Sequence, residues 1–107
     1  MSRYYLKPMY DSHKSFYGKC YVEMSGGWGQ NVTLYSYDTP VAMVGYSIDD
    51  CGYDDFVCYL TPNWDFSATT IRHVKEFLRQ WGFGAWSVPA IRKEWEEVDG
   101  YLMMVRP

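Results

Sequence analysis

The connections between Gly18 and Leu60 constrain the fold most, because they are too short for anything but one kind of sheet. In "GKCYVEM", Cys20, Val22 and Met24 alternate with Lys19, Tyr21 and Glu23, the period of a half-buried strand. "GGWGQN", Gly26 to Asn31, reads as a hairpin loop. "VTLYSY" then places Val32 and Leu34 on one face and Thr33, Tyr35 and Tyr37 on the other, and "DTP" turns the chain at Asp38 to Pro40. "VAMVGY", Val41 to Tyr46, is apolar on both faces and suits a central strand. The polar connection "SIDDCGYDD" leads to a fourth strand, "FVCYL", Phe56 to Leu60. A parallel crossover needs about a dozen residues or more, so these strands are predicted to run as an antiparallel meander. "RYYLKPMY" adds a candidate edge strand, with Pro8 tolerated at an edge or a strand end.

The pattern changes after Leu60. Ser67 is a good helix N-cap, and Ile71, Val74, Phe77, Leu78 and Trp81 share one arc of roughly 120° at 100° per residue. Gly82 stands where a helix C-terminal glycine belongs. A sheet face needs a cover, and this helix supplies it. A second, shorter helix is predicted from about Val88 to Glu97, capped by Ser87, with Pro89 in its first turn and Gly100 as its stop. "YLMMV", Tyr101 to Val105, reads as a last strand. The expected fold is therefore α+β: an antiparallel four- to five-stranded meander covered by one amphipathic helix, with a second short C-terminal helix.

A length of 107 residues suits one domain, 1–107, burying roughly 65% of its unfolded surface. The net charge of −3 argues against a general nucleic-acid coat protein while leaving room for a local basic patch. No apolar run approaches the ~20 residues of a membrane span, and "MSRYYLKPMY" lacks a signal-peptide core. Cys20, Cys51 and Cys58 are an odd set that suits reduced thiols, so a cytoplasmic protein is expected. Eleven Tyr and five Trp exceed what a small core can enclose, so some are expected on contact surfaces.

The series "KSFYGKCYV", "LYSYDTPVA" and "SATTIRHVKEFLRQWGF" resembles a family of small uncharacterised proteins carried by phages and mobile elements of Gram-positive, often gut, bacteria. The matching positions are Lys14 to Lys19, Ser36, Tyr37, Thr39, Ser67 to Thr70, Arg72, His73, Glu76 to Leu78, Gln80 and Gly82. Cys20 stands where that pattern has a small residue and Asp38 where it has Asn; "SIDDCGYDD" is larger and more acidic, and the part after Gly84 lies outside the likeness. The resemblance implies a strand meander closed by a helix, and a mobile-element setting. It implies no activity.

Several groups of residues could carry a function. Asp49, Asp50, Asp54 and Asp55, with Tyr53 among them, place four carboxylates within seven residues. They lack the EF-hand spacing, but such an edge can imitate a row of phosphates, or simply keep an edge strand soluble. Arg72, Lys75 and Arg79 project within roughly 60° of one another, opposite the apolar arc. They could hold phosphates, or form a solvated face that Glu76, at i+4 from Arg72 and i−3 from Arg79, partly neutralises. His73 sits at the edge of the arc, as a partner for a strand or for the Ser67–Thr70 turn. Tyr21, Tyr35 and Tyr37 could together form a stacking platform. Alternatively, the segment bearing Trp86, Trp95, Met103 and Met104 could cover it. Cys51 and Cys58 lack zinc-site spacing, and the sequence has no nucleophile elbow, phosphate-cradling glycine loop or metal-binding His pair. No enzyme, metal or cofactor is expected.

Three readings follow. The favoured one is a non-catalytic inhibitor of a bacterial defence system. In its sharpest form it is an anti-CRISPR protein that binds an effector nuclease through the DNA-mimicking edge of Asp49, Asp50, Tyr53, Asp54 and Asp55. The second is a nucleic-acid accessory protein using Arg72, Lys75, Arg79, Tyr35 and Tyr37. The third is a sponge for a nucleotide signal, built as a homo-oligomer.

Overall fold

In the computed structural model the described residues are 2–25, 31–48 and 54–106. Seven strands form one antiparallel sheet: β1 (Ser2–Tyr5), β2 (Cys20–Ser25), β3 (Asn31–Ser36), β4 (Thr39–Ile48), β5 (Asp54–Leu60), β6 (Glu96–Val98) and β7 (Tyr101–Val105). The first five lie side by side in chain order. The chain then leaves the sheet, builds helices α1 (Ala68–Gln80) and α2 (Val88–Glu94), and returns as the β6–β7 hairpin, with β7 beside β5. The fold is α+β, with seven strands where four or five were expected.

The extra strand in the C-terminal half comes from residues that helical periodicity assigns to α2. That helix ends at Glu94, and Trp95 is already extended, with ψ 139°. Asp99 and Gly100 have φ of 49° and 86° and join the paired residues Val98 and Tyr101. This is the Asp-Gly two-residue hairpin, whose primed turn matches the twist of the strands. Gly100 thus closes a hairpin and does not stop a helix. A Cβ at Gly100 would meet nothing within 4 Å, so Gly100→Ala is expected to cost only backbone strain, about 1 kcal/mol. In a melting experiment this is a fall of about 5 °C.

Tyr37 and Asp38 make the same kind of turn without a glycine, with φ of 50° and 65° between the paired Ser36 and Thr39. Strand β3 therefore ends at Ser36, and Tyr37 sits in the turn, not beside Tyr35 on a sheet face.

Helix α1 lies against one face of the sheet. Val74, Phe77 and Leu78 are fully buried in a cluster with Val22, Leu34, Ala42 and Leu60. Ser67 caps the helix by accepting from the Thr70 N–H. At the other end the Gly82 and Phe83 N–H groups donate to Arg79 and Leu78, a Schellman turn with Gly82 at φ 82° and Phe83 buried beneath it. Trp64, Ile91 and Trp95 join the same core, and Trp86 and Met104 pack against it. Trp86, Trp95 and Met104 of the C-terminal segment thus thicken the helix side, while Met103 pairs with Tyr59 on the other face. On the other face Tyr21, Thr33, Tyr35, Met43 and Tyr59 are half-buried. Among the described residues no helix is long and apolar enough to cross a membrane.

Candidate functional site

The three blocks that carry the resemblance are far apart in sequence and meet around His73. Its ring is fully buried. Nδ1 lies 2.9 Å from Ser36 Oγ at the end of β3, and Ser36 Oγ lies 3.2 Å from Thr70 Oγ1. Ser67 Oγ in turn donates to Thr70 Oγ1 at 3.1 Å. One direction satisfies every hydroxyl: Ser67 to Thr70 to Ser36 to Nδ1 of His73. Among the described residues His73 Nε2 has no hydrogen-bond partner. Phe16 stands edge-on to the imidazole at 4.8 Å, and the Tyr37 ring lies 6.0 Å away. Lys19 Nζ sits 5.7 Å over Tyr37. The turn Phe16–Lys19, with Tyr17 and Gly18 at φ 53° and 68°, brings Phe16 and Lys19 to this point.

A serine hydroxyl on an imidazole invites a catalytic reading, and the surroundings argue for a clasp instead. Burial pushes the His73 pKa down to about 4, which makes it a weak base near neutrality. Ser36 is itself buried, and Nε2 has no carboxylate to orient the ring. The network ties the first turns of α1 to β3 through polar groups that exclude water.

The basic stripe occupies the opposite side of α1. Arg72, Lys75 and Arg79 are exposed and line one cleft of about 450 Å³ with Tyr10, Asp11, Glu76, Ala85, Trp86 and Ser87. Glu76 does not neutralise the stripe as its spacing predicts. Its side chain is buried. Oε1 accepts from the backbone N–H groups of Tyr10 and Asp11 at 2.8 Å each, and Oε2 accepts from Gln80 Nε2 at 2.6 Å. Gln80 Nε2 also donates to the Lys7 carbonyl. Glu76 and Gln80 thus hold the strap of residues 7–11 across the helix. Among the described residues the ion pairs are Arg3–Glu23 and Arg92–Asp65, and neither uses a stripe cation; the His13 ring nitrogen Nδ1 hydrogen-bonds Asp11 Oδ1 at 2.7 Å. Arg79 stacks 4.9 Å over Tyr10, and Arg72 donates to His13 Nε2 at 3.2 Å. Above all the His13 backbone N–H, then the His13 ring and Arg72, hold the Asp11 carboxyl below its usual range.

The tyrosines named with that stripe belong elsewhere. Tyr35 stacks on Tyr21 at 4.9 Å on the sheet face away from α1, with the Arg3 guanidinium 4.3 Å over Tyr21. Tyr37 sits in its turn near His73. The cations and the tyrosines therefore do not form one continuous nucleic-acid surface.

The acidic connection is placed by its strands. Gly45 to Ile48 of β4 pair with Val57 to Asp54 of β5, whereas the pairing of β4 with β3 ends at Val44 and that of β5 with β7 ends at Val57. On the β7 side the Phe56 carbonyl still accepts from the Arg106 N–H at 2.8 Å, so among the described residues the rungs Ser47–Asp55 and Ile48–Asp54 form a two-stranded ribbon. It extends about 7 Å past the described parts of β3 and β7 at roughly 3.4 Å per residue. Asp54 and Asp55 are part of this ribbon; Asp49, Asp50 and Tyr53, with Cys51, lie outside the described residues. Cys20 and Cys58 are buried free thiols. Burial, with a smaller contribution from Glu76, raises the Cys20 pKa to about 12; burial raises that of Cys58 further, so neither is a ready nucleophile. Among the described residues no three His, Cys, Asp or Glu side chains gather as metal ligands.

The sequence pattern of a family of unknown function, DUF8033, matches residues 4–97. The chain belongs to that family. No curated protein and no solved structure matches it. The DUF8033 match takes in the strap, the His73 clasp, both helices and the acidic ribbon, and stops before β7.

Sequence reasoning missed the strap. Glu76 and Gln80 are spaced i, i+4 on a helix, a pattern that ordinarily marks solvated pairs, and their partners are backbone groups of a segment about 70 positions earlier.

Proposed function

We propose that this chain is a non-catalytic inhibitor, carried by a phage or mobile element, that blocks a bacterial defence protein. In its most specific form it is an anti-CRISPR protein that occupies the DNA-binding groove of an effector nuclease. The observation that supports the reading is the end of the β4–β5 ribbon, which among the described residues runs two rungs past β3 and β7 and belongs to a stretch with four aspartates in seven residues. A DNA mimic needs negative charge on a projecting element that can enter a groove lined with Arg and Lys. The net charge of −3 favours such an encounter. The mobile-element setting rests on the resemblance of the three sequence blocks, an associational argument.

The test is displacement of DNA from purified CRISPR effector nucleases by the native chain and by a variant with Asp49, Asp50, Asp54 and Asp55 all changed to Asn. At about 0.7 kcal/mol per exposed pair, loss of four contacts weakens binding roughly a hundredfold. The melting temperature should stay within about 2 °C, because Asp→Asn removes a charge with almost no change in side-chain volume. Undiminished displacement by the variant, or none by the native chain across the effectors, would sink the reading.

A further inference from the structure

We propose that the cleft over α1 is a binding site for a small phosphate ester carrying an aromatic ring, such as a nucleotide. The inference stands apart from the inhibitor reading, since the cleft lies on the outer side of α1 and the ribbon is part of the sheet. Arg72, Lys75 and Arg79, one helical turn apart along a single stripe, face into a cleft of about 450 Å³, within the range of small-ligand pockets. Exposed arginines and lysines ordinarily find carboxylates nearby. Here neither acid in the cleft wall hydrogen-bonds a stripe cation: Glu76 accepts from three other N–H donors, and Asp11 Oδ1 is held by the His13 N–H and ring. The lining thus combines three cations with one carboxylate, Glu76, turned to three N–H donors, and a second, Asp11, whose Oδ1 is held by His13 while Arg72 acts on it through charge alone.

Two features prepare the cations for a phosphate. Arg79 lies with its Cζ 4.9 Å over the Tyr10 ring, a contact that favours its position at the cleft, and among the described residues it has no ion pair. Arg72 donates one N–H to His13 Nε2 and keeps its others. Trp86 supplies the aromatic wall. Its indole N–H donates to the Phe83 carbonyl at 2.7 Å, and it stands edge-on to Trp95, so the ring is held in place before any ligand arrives. Lys75, exposed and without an ion pair among the described residues, is the mobile charge that follows the phosphate. All of these groups come from one chain, so the site is complete without a second copy.

Calorimetric titration tests this directly at low salt. The ligands are inorganic phosphate, nucleoside 5′-mono- and diphosphates, a cyclic dinucleotide and an oligo-dT of about a dozen residues. The proteins are the native chain, Lys75→Ala, and Lys93→Ala as a control on α2 outside the cleft. We expect saturable binding of at least one nucleotide, weaker binding of phosphate alone, and a roughly tenfold loss of nucleotide affinity in Lys75→Ala, with Lys93→Ala unchanged. Lys75 is exposed, so its removal should leave the melting temperature in place. Three results would overturn the proposal: no nucleotide binding at millimolar concentration, equal losses in the two lysine variants, or binding confined to the oligonucleotide.

Discussion

Replacing Glu76 with alanine is expected to destabilise the protein by about 3 kcal/mol and to release the strap of residues 7–11 from α1. The carboxylate accepts two backbone N–H groups, of Tyr10 and Asp11, and the side-chain N–H of Gln80. Hydrogen bonds to a charged acceptor are each worth about 1.5–3 kcal/mol. Tyr10 and Asp11 lie at the surface, where water can take over part of the bonding, so the total falls well below the sum of three bonds. Alanine also leaves a void in a buried position. Glu76→Gln separates charge from geometry. Its carbonyl can still accept from Tyr10 and Asp11, but its NH2 group meets the Gln80 NH2, donor against donor. Turning the Gln80 amide would repair that contact at the expense of the bond to Lys7. The glutamine variant should therefore lose about half as much stability and keep the strap bound. Denaturant unfolding of both variants, with limited proteolysis of residues 7–13, reads the difference. Equal losses would mean that the charge, and not the acceptor geometry, carries the contribution; an alanine strap as resistant to protease as the native one would mean that the strap is held mainly by Leu6 and Phe16 in the core.

Acidification from pH 7 to pH 4 is expected to remove about 2 kcal/mol through His73 alone. An unfolded histidine titrates near 6.5, and burial lowers the folded value to about 4. Between those values the unfolded chain binds a proton that the folded chain refuses, so stability is complete above about pH 6.5 and is lost progressively as pH falls toward 4. The full difference would be about 3 kcal/mol, and relaxation of the surroundings reduces it. The groups facing the ring are Ser36, the Phe16 and Tyr37 rings and, at longer range, the Asp11 carboxylate, which opposes the shift. Asp11, held below its usual range, loses its own contribution in the same direction below about pH 4. His73→Gln keeps an acceptor for Ser36 and cannot titrate. Unfolding free energies of the native and His73→Gln proteins, measured across this window, should converge as pH falls, since every other acid is common to both. Parallel curves, or an imidazole resonance titrating near 6.5, would show that His73 is solvated.

Much of the fold could be read locally. Alternation in "GKCYVEM" and "VTLYSY" gave the half-buried strands, and the arc of Ile71 to Trp81 with Ser67 and Gly82 at its ends gave α1, because these signals depend on neighbours within four positions. The β6 strand was hidden. Glu96 to Val98 is too short to show a period, and the Asp-Gly hairpin that defines it resembles a helix stop when the residues before it are helical. Tyr37 was misplaced for the same reason, since a primed turn without glycine leaves the alternation of β3 looking one rung longer than it is.

The sequence by itself determined the antiparallel meander, the covering helix with both its caps, and the stripe of cations on the helix's outer side. Only the tertiary structure decided what those residues do. Glu76, the expected neutraliser of the stripe, is turned to the backbone of residues 10 and 11; His73, expected at a boundary, is sealed in a chain of hydroxyls; and the acidic connection sits on a ribbon that outreaches its neighbours. Each of these depends on partners 34 to 66 positions away or on the unequal lengths of adjacent strands. Periodicity reports which face of an element is buried, while a long-range hydrogen bond depends on where the whole sheet brings a particular atom.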